Sequence, residues 1–269
     1  MNAFEPALCT VTFRKLAADE IVALAAKARL AAIEWAGDAH VPPGDTSTAR
    51  TVGHLCESAG LKTSYGSYVA PPTDDLSALA PALATAVALG ASNIRIWPGT
   101  RQRASRDYSA DEWRDAADAI RDMGAEAARH GITVSLEYHP QTLTDETSSA
   151  LRLIEAVAHP NVYLYWQPRP GLPLVEALTE IASIGAHVSH VHVFAWDRER
   201  KRFPLASAEG YWQAALAAMP QSRWTGRRFA MLEFVAGDDP AAFLADAATL
   251  RKILKAEFPP GASAIADRD

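Results

Sequence analysis

Cysteine is nearly absent: Cys9 and Cys56 are the only two in 269 residues. A disulfide scaffold is therefore excluded, and neither residue belongs to a C-x-x-C pair. No stretch reaches the roughly 18 uninterrupted apolar residues of a membrane span. The N-terminus, Met-Asn-Ala-Phe-Glu-Pro, lacks the basic residues and apolar run of a signal peptide. The expected address is the cytoplasm. Blocks of positive charge are missing too. Lys+Arg total 26 against 32 Asp+Glu, a net charge of −6, which makes nucleic acid and anionic membrane poor candidates as partners. No G-x-G-x-x-G and no P-loop occurs anywhere, so the chain carries neither phosphate-binding signature. What remains is an ordinary globular composition, 49% hydrophobic and 22% charged. That excludes wholesale disorder and leaves ample material for a core.

The chain alternates short β-type runs with alanine-rich helical segments. The runs are Ala7–Phe13, Ala31–Trp35, Lys62–Ser67, Asn93–Trp97, Thr133–Tyr138, Val162–Gln167, Val188–Phe194 and Phe229–Val235. They start roughly 30 residues apart, the length of one βαβ crossover. Between them apolar residues recur at helical spacing, as in Ile21-Val22-Leu24-Ala25-Ala28 and Leu151-Leu153-Ile154-Val157. Ser109-Ala-Asp-Glu112 reads as a capping box opening a helix through Met123. Gly90, Gly131 and Gly185 stand where helices should stop. Eight strands alternating with helices predict an α/β fold, a single (β/α)8 TIM barrel. The rival, an open doubly wound sheet, normally carries a glycine-rich loop after its first strand. Here that place holds Thr12-Phe13-Arg14-Lys15. One domain is expected over residues 1–257, followed by a flexible tail over 258–269 that contains Pro259-Pro260-Gly261.

A barrel enzyme carries its site on the C-terminal ends of its strands. Four consecutive strand ends here each hold one polar residue in an apolar run: Glu137, Gln167, His192 and Glu233. A buried carboxylate costs several kcal/mol unless it is paired or bound to metal. Two of them beside an imidazole and an amide read as a divalent cation site with oxygen and nitrogen ligands. His139, two positions after Glu137, lies on the same face and is a candidate acid/base or substrate donor. His190 alternates with His192 and reads as a buried, satisfied histidine. Glu34 could reach the pocket or form a salt bridge in the barrel mouth. Trp35, Tyr65, Trp97, Trp166, Phe194 and Trp196 fall at predicted strand ends, where rings could pack against a sugar's C–H face. Trp97 and Trp166 are taken as substrate-binding candidates. Arg101, Arg103 and Arg106 read first as solvated loop charges and second as an anion site.

With these residues in place, the chain resembles the xylose isomerase-like TIM barrels, the sugar phosphate isomerase/epimerase superfamily, over roughly residues 7–255. The carrying features are the order Glu137, Gln167, His192, Glu233 on the last four strands and the H-x-H of His190-Val191-His192. The resemblance implies one divalent ion (Mn, Mg, Co or Zn) held by Glu137, Gln167, His192 and Glu233. It departs at Gln167, where the family usually has aspartate. Two glutamates then supply −2 rather than −3, which weakens metal affinity and leaves the ion a stronger Lewis acid. The family's ketohexose 3-epimerases hold substrate oxygens with an arginine six residues after the histidine, which falls on Arg198. They also carry a histidine where this chain has Pro170.

The implied activity is metal-dependent isomerisation or epimerisation of a keto-sugar or polyol-like substrate. A proton is removed next to a carbonyl, through an enediolate, with Glu137 and Glu233 as base and acid. The alternatives are a dehydratase or lyase of the same family, of the inosose- or dehydroshikimate-dehydratase or C-glycoside-cleaving type, and a sugar-binding protein without catalysis. Family resemblance also implies a possible homo-oligomer.

Overall fold

The computed structural model describes residues 4–100 and 102–255, so the predicted tail lies outside the described residues. Eight parallel strands close on themselves in chain order. They are β1 (Phe4–Cys9), β2 (Ala32–Ala36), β3 (Lys62–Gly66), β4 (Asn93–Ile96), β5 (Thr133–Glu137), β6 (Val162–Trp166), β7 (Val188–Val193) and β8 (Arg228–Leu232). Closure is made by β8 against β1, in register from Phe4 opposite Arg228 to Leu8 opposite Leu232. The helices outside are α1 (Ala18–Lys27), α2 (Thr46–Ser58), α3 (Leu76–Leu89), α4 (Ala110–Ala128), α5 (Thr147–Val157), α6 (Leu174–Ile184), α7 (Glu209–Ala218) and α8 (Pro240–Lys255). The fold is the single (β/α)8 barrel that the alternation predicts. None of the described helices is long and apolar enough to cross a membrane.

The main boundary shift is at β1. It starts earlier and ends at Cys9, and Thr10–Phe13 form a 3-10 turn instead of extending the strand. Ser109 caps α4 as expected, accepting from the Glu112 N–H while Glu112 reaches back to the Ser109 N–H. Gly90 ends α3 in the left-handed conformation at φ 73°, where a side chain is strained. Gly185 is different: its φ is −58° and it opens a 3-10 turn. A Cβ there would come within 2.4 Å of Pro220, so packing and not dihedral freedom explains the glycine.

Side chains alternate across each strand, and the two faces have different chemistry. Toward the helices stand Ile33, Trp35, Ile94, Ile96, Val134, Leu136, Leu164, Trp166, Val191, Val193 and Leu232, part of one large buried apolar cluster. Inside the barrel the apolar cluster is small: Ala7, Cys9, Ala32, Ala36, Tyr165, Phe229 and Met231 are among its members. The remaining interior is polar and paired. Ser64 Oγ meets Tyr165 Oη at 2.9 Å, and Asn93 Nδ2 donates to Ser135 Oγ at 2.8 Å. Ser135 and Ser189 hydroxyls meet at 2.8 Å. This polar plug fills the barrel and leaves its upper end for charged residues.

The loop before α4 is tied by Arg103, which bonds both carboxylate oxygens of Glu112 and stacks over Tyr108 at 4.1 Å. Hydrogen bonding to Arg103, then to Ser109, holds the Glu112 carboxyl at about 2. That lies below the ordinary value of about 4.3, so the contribution is complete above that value and is lost as pH falls toward 2. Glu112→Gln is therefore expected to lower the melting temperature at neutral pH. The gap from the unmodified protein should close as thermal melts are taken from pH 5 toward pH 2; a gap independent of pH would remove Glu112 as the titrating anchor.

Candidate active site

The same alternation that sends Leu136, Trp166, Val193 and Leu232 outward sends Glu137, Gln167, His192 and Glu233 inward. All four are buried. They converge on His192 Nδ1, which lies 3.3 Å from Gln167 Oε1, 3.7 Å from Glu233 Oε2 and 3.8 Å from Glu137 Oε1. The Gln167 amide also donates to Glu137 Oε1 at 3.1 Å.

Two further charged residues enter from β4 and β2. Arg95, on β4, is 2% exposed. Its Nη1 bonds Glu137 Oε2, and its Nε donates to Glu34 Oε1 at 3.0 Å. Glu34, on β2, is fully buried. It also accepts from Cys9 Sγ at 3.3 Å and faces His192 Nε2 at 3.5 Å. Glu34 is thus the salt bridge in the barrel mouth that its position allowed. Arg95 and Cys9 had not been singled out, although Arg95 interrupts Ile94-Arg95-Ile96 just as Glu137 interrupts its own strand.

Burial and charge oppose each other here. Burial would lower the His192 pKa, but Glu233, Glu34 and Glu137 outweigh it and push His192 up to about 9. Burial would raise Glu34, but Arg95 and then His192 hold it well below the carboxylate range. Glu233 is raised by burial, with His192 pulling against the rise. Burial pushes the Cys9 thiol up. Burial also lowers His190 to about 3; its neutral ring accepts the Phe229 N–H at Nδ1, 2.9 Å away, while Nε2 has no hydrogen-bond partner among the described residues, so the ring is buried as expected but only half satisfied.

The donor set fits a divalent cation. Ligands about 2.1 Å from one ion stand about 3–4 Å apart, the spacing found around His192 Nδ1. Three carboxylates and one guanidinium carry a net −2 when the imidazole is neutral, and a divalent ion balances that charge. Cys9, His192 and Glu233 also offer ligand atoms within 4.8 Å of one another, so a thiol borders the same centre.

A cavity of about 270 Å³ opens above this cluster. Its floor includes Arg95, Glu137, Gln167 and Glu233, and its walls include Tyr68, Trp97, His139, Phe194, Trp196 and Phe234. His139 packs against Trp97 with ring centroids 4.2 Å apart. Arg14, Arg169 and Arg200 contribute to its lining. Arg14 pairs with Asp38 at 2.9 Å.

Two expected substrate contacts are not there. Trp166 points away from the cavity because Gln167, its neighbour, points in. It is fully buried between barrel and helices, donates to Glu180 Oε2 at 3.1 Å and packs against Trp212. Trp35 and Tyr65 belong to the same outer layer. Arg198 is exposed and packs over Gly171, where a Cβ would come within 2.5 Å of its Cγ. It does not line the cavity; Arg200, two residues on, does. Of the loop arginines that are described, Arg103 is bound to Glu112 and Arg106 is exposed near Asp107 at 3.9 Å; Arg101 lies outside the described residues.

Residues 22–253 match the family model described as xylose isomerase-like TIM barrel. A 71-residue segment is 39% identical to the 3-dehydroshikimate dehydratase of Bacillus anthracis, spanning 26% of this chain and 25% of that protein. Among solved structures, a probable 3-DHS dehydratase of petrobactin synthesis from Bacillus anthracis superposes with TM-score 0.69 at 20% identity, covering 92% of this chain and 99% of that one. A D-allulose 3-epimerase from Methylomonas in complex with D-allulose gives 0.69 at 16% identity, covering 94% and 97%. A xylose isomerase-like barrel from Mycobacterium smegmatis in complex with magnesium gives 0.65 at 16%, covering 93% and 96%. At these identities the superpositions show the fold.

The outward placement of Trp166 has a measurable consequence. Trp166→Ala should cost about 3–5 kcal/mol in denaturant unfolding, the scale for a buried tryptophan, and leave divalent-metal uptake per folded molecule unchanged. Altered metal uptake in the folded variant would put Trp166 back in the site.

Proposed function

This chain belongs to the xylose isomerase-like TIM barrel family, and we propose that within it the chain is a metal-dependent enzyme. It would remove a proton next to the carbonyl of a keto-sugar or polyol-like substrate, leading to isomerisation or epimerisation. The observation that carries this reading is the gathering of Glu137 Oε1, Gln167 Oε1 and Glu233 Oε2 around His192 Nδ1 beneath an open cavity. These four residues would hold one divalent ion (Mn, Mg, Co or Zn). When bound, it supplies electrophilic stabilisation for negative charge developing on a substrate oxygen.

The remaining work falls to the chain's own groups. Glu137 and Glu233 stand on β5 and just after β8 at the cavity floor and are assigned to take and return the proton, Glu137 through Oε1 because Arg95 holds its Oε2. Trp97 and His139, in tilted ring contact, form one wall against which a sugar or polyol packs, and Phe194 and Trp196 form another. Such walls exclude water and strengthen each charge interaction on the floor. His139 Nδ1 lies 2.8 Å from the Pro140 carbonyl, which orients the ring.

The second reading is a dehydratase of the dehydroshikimate type, in which the same deprotonated substrate loses a β-hydroxyl. The local 39% identity to the Bacillus anthracis dehydratase favours it. The two are separated by supplying metal-replete protein with either a ketohexose or 3-dehydroshikimate in D2O. Solvent deuterium entering the ketohexose carbon supports isomerase chemistry, and a new aromatic absorbance from 3-dehydroshikimate supports dehydration. Metal-replete protein that does neither contradicts both.

Two substitutions test the roles assigned. Glu137→Gln keeps an oxygen ligand but removes a base, so with metal in excess the ion should stay bound while the rate falls at least about 10²-fold. Near-normal turnover would take Glu137 out of proton transfer and leave His139 as the next candidate. Gln167→Asp restores an anionic ligand and should tighten divalent binding in calorimetric titration; equal or weaker affinity would show that Gln167 is not a ligand or that the pocket does not accept the extra charge.

A further inference from the structure

Two buried charged residues, Arg95 and Glu34, come from strands β4 and β2, which supply none of the four residues assigned to the ion. Their contacts are nevertheless specific. Arg95 takes Glu137 Oε2 with Nη1 and Glu34 Oε1 with Nε. Glu34 in turn faces His192 Nε2 at 3.5 Å. Each contact occupies the far atom of a residue whose near atom belongs to the converging set: Oε2 of Glu137 is taken while Oε1 faces the centre, and Nε2 of His192 is met while Nδ1 faces it.

We propose that Arg95 and Glu34 are positioning residues that fix the coordination mode of the ion: Glu137 is held to one ligand oxygen and His192 to its Nδ1. This rests on the metal-site reading above and deepens it. The Arg95 fork holds two carboxylates in one rigid plane, which a lysine cannot do. The Glu34 carboxylate, with Oε1 3.5 Å from His192 Nε2, favours the ring proton on Nε2 by its charge, and that proton's place leaves the Nδ1 lone pair for the ion. Room for the fork is built into the fold. Gly66 ends β3 beside it, and a Cβ there would come within 2.6 Å of Arg95 Nη2 and 3.1 Å of Glu34 Oε1.

A positioning role and a mere charge role predict opposite signs. Arg95 is a cation close to a site for cations. If charge were all it supplied, its removal would tighten divalent binding. If it positions Glu137, its removal loosens binding, and outer partners of metal ligands typically matter by about 10- to 100-fold in affinity.

The test uses Mn2+ affinity by calorimetry and the visible spectrum of the Co2+-loaded protein, which reports coordination number and geometry. Arg95→Met should weaken Mn2+ binding by about tenfold or more and change the Co2+ spectrum. Arg95→Lys keeps the charge but not the fork, and should also shift the spectrum. Gly66→Ala keeps every charged group and crowds the guanidinium, so it serves where Arg95→Met does not fold; it too should weaken Mn2+ binding. In the unmodified protein loaded with 113Cd and 15N-histidine, the metal–nitrogen coupling should fall on Nδ1 of His192.

Tighter or equal Mn2+ binding in folded Arg95→Met, or wild-type affinity and spectra in both Arg95→Lys and Gly66→Ala, overturns the positioning role while leaving the metal site standing. Cadmium coupled to Nε2 overturns the role given to Glu34. An unmodified protein that takes up no Mn2+, Co2+ or Cd2+ overturns the metal reading and this inference together.

Discussion

Three carboxylates buried around one imidazole repel one another, and the upper end of this barrel depends on how that repulsion is met. Glu34, Glu137 and Glu233 are all buried, with Arg95 the buried cation that contacts two of them. The arrangement retains a net negative charge beneath an open cavity, where a cation can reach it. Unpaired, such buried charges would cost several kcal/mol each; here Arg95 pairs with Glu34 and Glu137, and His192 stands beside Glu233. Below them the barrel is filled by a polar plug built from Ser64, Asn93, Ser135, Tyr165 and Ser189, whose side chains hydrogen-bond to one another. The helix-facing layer supplies the apolar burial that stabilises the whole.

Strand parity organises the rest. A residue facing the cavity has neighbours facing the helices, so one face of each strand belongs to function and the other to stability. Trp166 and Gln167 are adjacent in sequence and serve opposite layers. Ile94, Arg95 and Ile96 repeat the pattern on β4. The cavity walls come from the segments just beyond the strands, including Trp97, His139, Phe194, Trp196 and Phe234, where the chain has left the ladder and a ring can turn back over the mouth.

Much of this was legible beforehand. Eight β-type runs about one crossover apart predict a barrel, and the lack of a glycine-rich loop after the first run favours it over an open doubly wound sheet. The interruptions at Glu137, Gln167, His192 and Glu233 pointed to one cluster, and the structure brings those residues together. Trp166 was misplaced because strand-end position was weighed without parity. Arg198 was misplaced because spacing along a loop does not determine which side chain turns inward; the tight approach to Gly171 and the left-handed Arg200 at φ 65° decide that. Arg95 and Glu34 obey the parity rule, but their pairing joins β4 to β2 past the intervening β3, between residues distant in sequence, which no local pattern displays. Cys9 was invisible as a site neighbour for the same reason.

The central claim is that one divalent ion sits among Glu137, Gln167, His192 and Glu233. Crystals grown with Mn2+ or Co2+ and measured at the metal's absorption edge test it directly. The account predicts a single anomalous peak within ligand distance of Glu137 Oε1, Gln167 Oε1, His192 Nδ1 and Glu233 Oε2. No peak at the barrel mouth, or a peak bound to Cys9 and away from Glu137 and Gln167, would contradict it.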